Sequence, residues 1–268
     1  MSTPPERLPL RQCALAVSVL ADVDLLPRDD GVLLTVSDGT ETITDSVHVS
    51  WAELAGAVGD QDPLGAAGQR RALTLLTLYR TLATRSEPAA DVVHRASRLL
   101  ALPPGHALHP GPEWVRGRVR GGALDLGIGV LGLGSHPDDA QPLPPGAVRR
   151  LGLHPELWWP DLLEHAERMG ELSARRIGRD GRRVLRPFGG CDALTLLSSG
   201  ALRESLAAGD GTGLRAVAAP TRRRAWFDLA QVDPAFVGAV WSLTEPAERG
   251  LPVPLLVTRD EVVAPRTP

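Results

Sequence analysis

The chain contains no lysine: all 29 of its basic residues are arginine. Asparagine is also missing, and tyrosine occurs once and methionine twice. These absent and rare types share AT-rich codons, so a GC-rich bacterial genome explains the bias better than selection on one protein. The chemical consequence is firm. A Schiff-base lysine, a phosphate-loop lysine and a lysine general base are all excluded. Cysteine occurs only as Cys13 and Cys191, with no C-x-x-C pair. A disulfide framework is therefore not expected, and a reduced cytoplasmic setting is the default. No apolar run reaches the roughly 18 residues of a membrane span, so no membrane partner is expected. Residues 11–21 have the short apolar core of a signal peptide, but Glu6, Pro9 and Ser18 break that pattern. A buried first strand accounts for the run better. The hydrolase signatures G-x-S-x-G and H-E-x-x-H do not occur.

What is present is ordinary globular material. Hydrophobic residues make up 43% and charged residues 23%, and 268 residues allow one large domain or two modest ones. Proline and glycine are plentiful but follow no repeat, which removes collagen-like and low-complexity readings. A net charge of -3 does not nominate the whole chain as a nucleic-acid binder. The charge is uneven, however: residues 168–186 hold 7 arginines against 2 acids, a local basic segment.

The pattern predicts an α+β fold with a mixed or largely antiparallel sheet. Residues 1–12 read as a loose leader and 13–20 as a buried strand. Asp38-Gly39 between β-rich runs signals an N-terminal hairpin. Ser50 with Glu53 three residues on is a capping box that opens a short helix at Trp51. Helices are expected over 69–85 and 88–102, with Tyr79 on the apolar face of the first. A boundary near 103–113 would separate an N-terminal region, 13–105, from a C-terminal α+β region, 113–263; one continuous domain over 13–263 is the alternative. Beyond it, residues 113–120 alternate as a strand, and residues 124–130 form a strand with one glycine-bearing face. A long helix follows Trp158, and strands are expected at 184–188 and 191–197. Ser199 and Asp233 cap two later helices.

Three features could carry chemistry. Gly-Ile-Gly-Val-Leu-Gly at 127–132 matches the dinucleotide fingerprint as a string, but prolines to residue 145 prevent the helix that the fingerprint requires. His136-Pro137-Asp138-Asp139 follows an apolar strand. It resembles the zinc-binding motif of the deacetylases that act on N-acetylglucosamine-bearing conjugates. The resemblance implies zinc held by His136 and Asp139, with Asp138 as the base that activates a bound water. It covers only this tetrapeptide and its strand. His106 and His109, upstream, are the available further ligands. Third, Arg175, Arg176, Arg179, Arg182 and Arg183, with Arg222, Arg223 and Arg224, could form a basic face for an anion or nucleic acid, with Phe188 and Trp226 as stacking platforms. The favoured expectation is a non-catalytic binding or regulatory module with a protein partner. A zinc-dependent hydrolase and an anionic-ligand or nucleic-acid binder are the alternatives.

Overall fold

The computed structural model describes residues 8–21, 23–37, 43–134, 136, 138–180, 183–209, 211–228 and 232–265. They group into two compact units, one from residues 1–96, 110–114 and 142–154 and one from 97–109, 115–141 and 155–268.

The first unit begins with a helix, α1 (Leu8–Ala21), where the sequence suggests a loose leader and a strand. A short apolar run fits either element. Here Cys13, Ala14 and Val17 are fully buried, which is the spacing of one helical face. An antiparallel sheet follows in the order β1 (Asp24–Pro27), β2 (Gly31–Ser37), β3 (Ile43–Ser50). Val32 lies opposite Val49 and Leu34 opposite Val47, so the expected hairpin pairing is present. The Asp38-Gly39 turn itself lies outside the described residues.

The predicted capping box opens α2 (Trp51–Val58): Glu53 N–H donates to Ser50 Oγ at 3.2 Å, and Ser50 N–H donates to the Glu53 carboxylate at 3.0 Å. In α3 (Ala66–Ala83), Ala72, Leu75, Leu76 and Tyr79 are buried, as their spacing requires. The Tyr79 hydroxyl donates to Glu53 at 3.1 Å. Arg150, at the end of α5 (Pro145–Arg150), also donates to Glu53 and lies 4.5 Å from the Tyr79 ring centre. The helix expected over 88–102 stops early. It is α4 (Ala89–Ala96), and Ser97–Leu102 continues as the strand β4. Leu99, Leu100, Ala101 and Leu102 are all buried. A run covered on both faces has no stripe to reveal its period, and the sequence alone cannot separate it from a helix end.

In the second unit, β4 pairs with β6 (Asp125–Leu131), which also carries β5 (Gly117–Arg118) and β7 (Ala140–Pro142). The strand expected over 113–120 is thus only two residues long, preceded by a 3₁₀ turn at Pro112–Trp114. The glycine face of β6 is real: a Cβ on Gly129 would meet Ala140 Cβ at 2.9 Å and Leu100 Cβ at 3.1 Å. The fingerprint-like string lies in β6 and the turn after it. Among the described residues that follow the string, the first helix begins at Pro145.

The chain continues through α6 (Trp159–Asp180), β8 (Val184–Leu185), α7 (Ala193–Leu196), α8 (Gly200–Ala208), β9 (Arg215–Thr221), β10 (Arg224–Trp226), α9 (Pro234–Leu243), β11 (Leu255–Val257) and β12 (Val262–Val263). The strand expected at 191–197 is α7, because the Asp192 carboxylate accepts from Thr195 N–H at 2.7 Å and starts a helical turn. Ser199 and Asp233 cap α8 and α9 as expected. The second sheet runs β12-β11-β9-β10-β8, and every pairing in it is antiparallel. The chain is therefore α+β, and the sheets of its described residues are antiparallel. No helix among the described residues is long and apolar enough to cross a membrane.

Candidate functional site

The triple arginine sits at the tip of the β9–β10 hairpin. Thr221 pairs with Arg224, so Arg222 and Arg223 form the connection between the strands. The three side chains then diverge. Arg222 is only 2% exposed. Its guanidinium donates to the Asp192 carboxylate at 3.0 Å and to the Ala140 carbonyl at 3.0 Å. Its backbone N–H donates to the Glu248 carbonyl at 2.9 Å, and its own carbonyl accepts from Ala193 N–H at 2.9 Å. One buried arginine therefore joins β7, the start of α7 and the 3₁₀ turn Pro246–Glu248. Arg223 is partly exposed and pairs with the Asp139 carboxylate. Arg224 is exposed.

Arg223 and Arg224 border a cavity of about 620 Å³. Its apolar wall comes from Trp226 on β10 and from Phe236 and Val240, one turn apart on α9. The two rings meet edge to face, 6.3 Å between centres at 89°. The rest of the lining is polar and carries both signs: Arg223, Arg224 and His136, with Thr221, against Glu245 and Glu248. Helix α9 suits this placement. Its sequence, PAFVGAVWSL, has no charged residue, yet Val237 is the one buried side chain of its described residues. Phe236 is 38% exposed and Leu243 89%.

Glu248 has a raised pKa. Burial is the main cause, repulsion from Asp139 and Asp192 adds to it, and Arg222 and Arg223 pull the other way. Among the described residues, neither the Glu248 carboxylate nor the Arg224 guanidinium makes a side-chain hydrogen bond or ion pair. The two groups face the same cavity unmatched.

Two features that the sequence presents separately thus meet here. His136 lines the cavity beside Arg223 and Arg224, and Asp139 is held by Arg223. The structure does not gather the proposed zinc ligands. His106 uses both ring nitrogens, Nε2 at 2.9 Å from the Arg249 carbonyl and Nδ1 accepting from Leu108 N–H at 3.1 Å. His109 lies 3.2 Å from Asp125, which also accepts from Arg118 at 2.7 Å. Asp138 is exposed. Among the described residues no group of three His, Cys, Asp or Glu side chains is placed to hold a metal. The arginine set divides as well. Arg175 pairs with Glu171 at 2.6 Å, and Arg176 lies 4.0 Å from the Phe188 ring centre. Neither they nor Arg179 and Arg183 line the cavity. Arg182 lies outside the described residues.

Sequence reasoning missed Phe236, Val240, Glu245, Glu248 and Asp192. The available signal was a helix capped at both the sequence and the structural level by Asp233 yet without a single charge. Such a helix is either fully buried or borders something apolar. In comparisons with known proteins, no family model, no curated protein and no solved structure matches this chain.

Proposed function

We propose that the protein is a non-catalytic binding module and that the cavity beneath α9 is its ligand seat. One observation carries the reading: an aromatic wall and charged groups of both signs face a single space of about 620 Å³. That is the size and make-up of small-molecule sites, which are mostly apolar with a few placed polar groups. The seat is also held rigid from behind, because Arg222 fixes the hairpin tip, β7 and the turn that carries Glu248. The ligand is small and amphipathic. A cytoplasmic setting fits the two cysteines, which are buried and unpaired with thiols pushed up by burial to about 11 for Cys13 and about 12 for Cys191. A zinc hydrolase has less behind it, since Asp139 and both nitrogens of His106 are already engaged.

Anilinonaphthalenesulfonate, an aromatic anion that brightens in apolar sites, is a direct probe. The expected result is saturable binding of one probe per chain. Val240→Trp, which intrudes on the cavity, and Phe236→Ala, which removes an aromatic wall, should each weaken the signal. Leu157→Trp, at a site 72% exposed and not part of the cavity lining, should leave it intact. Unchanged binding by both cavity variants, with melting temperatures near that of the parent, would overturn the proposal.

A further inference from the structure

We infer that the ligand is a zwitterion with an apolar body: an apolar amino acid or a short apolar peptide. The inference rests on the cavity being a ligand seat and goes further by naming what fits it.

The argument begins with the two unmatched charges. Arg224 and Glu248 both line the cavity, and neither has a side-chain partner among the described residues. Glu248 is half-buried, so its ion has lost part of its hydration without gaining a cation at hydrogen-bonding distance. Such a group is costly until something matches it. Its neighbours do not remove the demand: Arg222 is committed to Asp192, and Arg223 to Asp139.

A simple anion would satisfy Arg224 but would share the cavity with Glu248 and Glu245. A simple cation would satisfy Glu248 but would share it with Arg223 and Arg224. Like charges so placed penalise either ligand. A molecule carrying an ammonium and a carboxylate satisfies both groups at once. The apolar remainder of the lining then sets its third requirement. Trp226, Phe236 and Val240 offer a mainly apolar face, with the Trp226 indole N–H as the one polar group among these three side chains, so the body between or beside the two charges is apolar or aromatic. Free amino acids and short peptides share this chemistry, and the volume admits either.

Titration calorimetry with charge-deleted analogues tests the idea. L-phenylalanine carries both charges, phenethylamine only the ammonium and hydrocinnamate only the carboxylate. The dipeptide leucyl-phenylalanine keeps both charges further apart. Phenylalanine or the dipeptide should bind at least about tenfold more tightly than either single-charge analogue, as expected for a charged hydrogen bond lost at a partly desolvated site. Arg224→Gln should weaken the zwitterion by a similar factor and should not weaken phenethylamine, which loses a like charge from the cavity. Glu248→Gln should weaken the zwitterion and should not weaken hydrocinnamate, which loses a like charge from the cavity. The tighter of phenylalanine and dipeptide identifies the source. Hydrocinnamate or phenethylamine binding as tightly as both zwitterions would overturn the inference. So would failure of both zwitterions to bind while anilinonaphthalenesulfonate still occupies the cavity, an outcome that leaves the binding-module reading in place. Loss of every ligand, the dye included, would remove both.

Discussion

At the scale of single residues, the site is governed by how each arginine is used. Arg222 and Asp192 form a pair with side chains only 3% and 7% exposed. Two charges so deeply placed contribute little net stability as a pair, but removing one strands the other. Arg222→Met should therefore cost about 3–5 kcal/mol in urea unfolding, the usual penalty for an orphaned buried charge. A loss below about 1 kcal/mol, the range of an exposed pair, would show that the pair is effectively solvated. Glu248 should behave in the opposite sense. Its raised pKa means that the folded chain holds its proton more tightly than the unfolded chain. Its contribution is then most favourable at low pH and is lost as pH rises through the window between the ordinary glutamate value and the raised one. Glu248→Gln removes the ionic cost and should melt higher than the parent at neutral pH, with the difference shrinking as pH falls through that same window. A carboxylate kept where it weakens the fold is what a ligand-facing role predicts. Equal melting at every pH would mean that Glu248 is fully hydrated.

At the scale of elements, the turn between β5 and β6 gives a controlled comparison. Gly121 and Gly122 both have positive φ, 94° and 75°. A Cβ on Gly121 would also collide with the Val262 carbonyl, whereas one on Gly122 meets nothing within 4 Å. Each alanine substitution carries a backbone penalty of about 1 kcal/mol or more. Gly121→Ala should lose clearly more than Gly122→Ala, because β12 must also move away. Equal losses in denaturant titrations would assign the whole effect to φ. Elements of this kind also mark how far the sequence could be read. The Ser50–Glu53 box, the Ser199 and Asp233 caps and the α3 stripe were legible because each is a local hydrogen-bond or spacing rule. The fold class followed from the hairpin signals. Strand β4 and helix α7 were misread because apolar runs buried on several sides carry no period to distinguish helix from strand, and α1 because its outer face is also apolar, with Leu15, Val19 and Leu20 exposed. The site was half legible. His136, Asp139 and Arg222–Arg224 stand out as residue types, but their meeting depends on the β9–β10 tip reaching the loop before β7. That is a contact between residues 84 apart in sequence. Glu248 was illegible because nothing in its neighbourhood distinguishes a cavity wall from an ordinary surface, and for Phe236 the charge-free run of α9 fits a buried helix as well as a cavity wall.

At the scale of the whole molecule, the chain does not divide at one point. The first unit is assembled from residues 1–96, 110–114 and 142–154, so the chain leaves it and returns twice. What returns is structurally necessary. Helix α5 brings Arg150 to the Glu53 carboxylate at 2.9 Å and over the Tyr79 ring. Ala147 on the same helix is fully buried, as are Leu143 just before it and Trp114 on the other returning segment to within a few per cent. A fragment ending at residue 96 would lack all four side chains. Burying three such apolar groups is worth several kcal/mol in total, at about 1.5–3 kcal/mol for each large one, and a small domain has only about 5–15 kcal/mol to lose. The fragment should accordingly show no cooperative thermal transition by circular dichroism under conditions where the full chain melts cooperatively. A fragment that melts as sharply and as high as the full chain would mean that residues 1–96 hold their own core, and that the returning segments are covering rather than structure. The same discontinuity bears on the proposed site, since β7 and the loop with His136 and Asp139 lie between two visits of the chain to the first unit. Ligand assays therefore belong on the intact chain, of which the segment that carries Asp139 is an internal part.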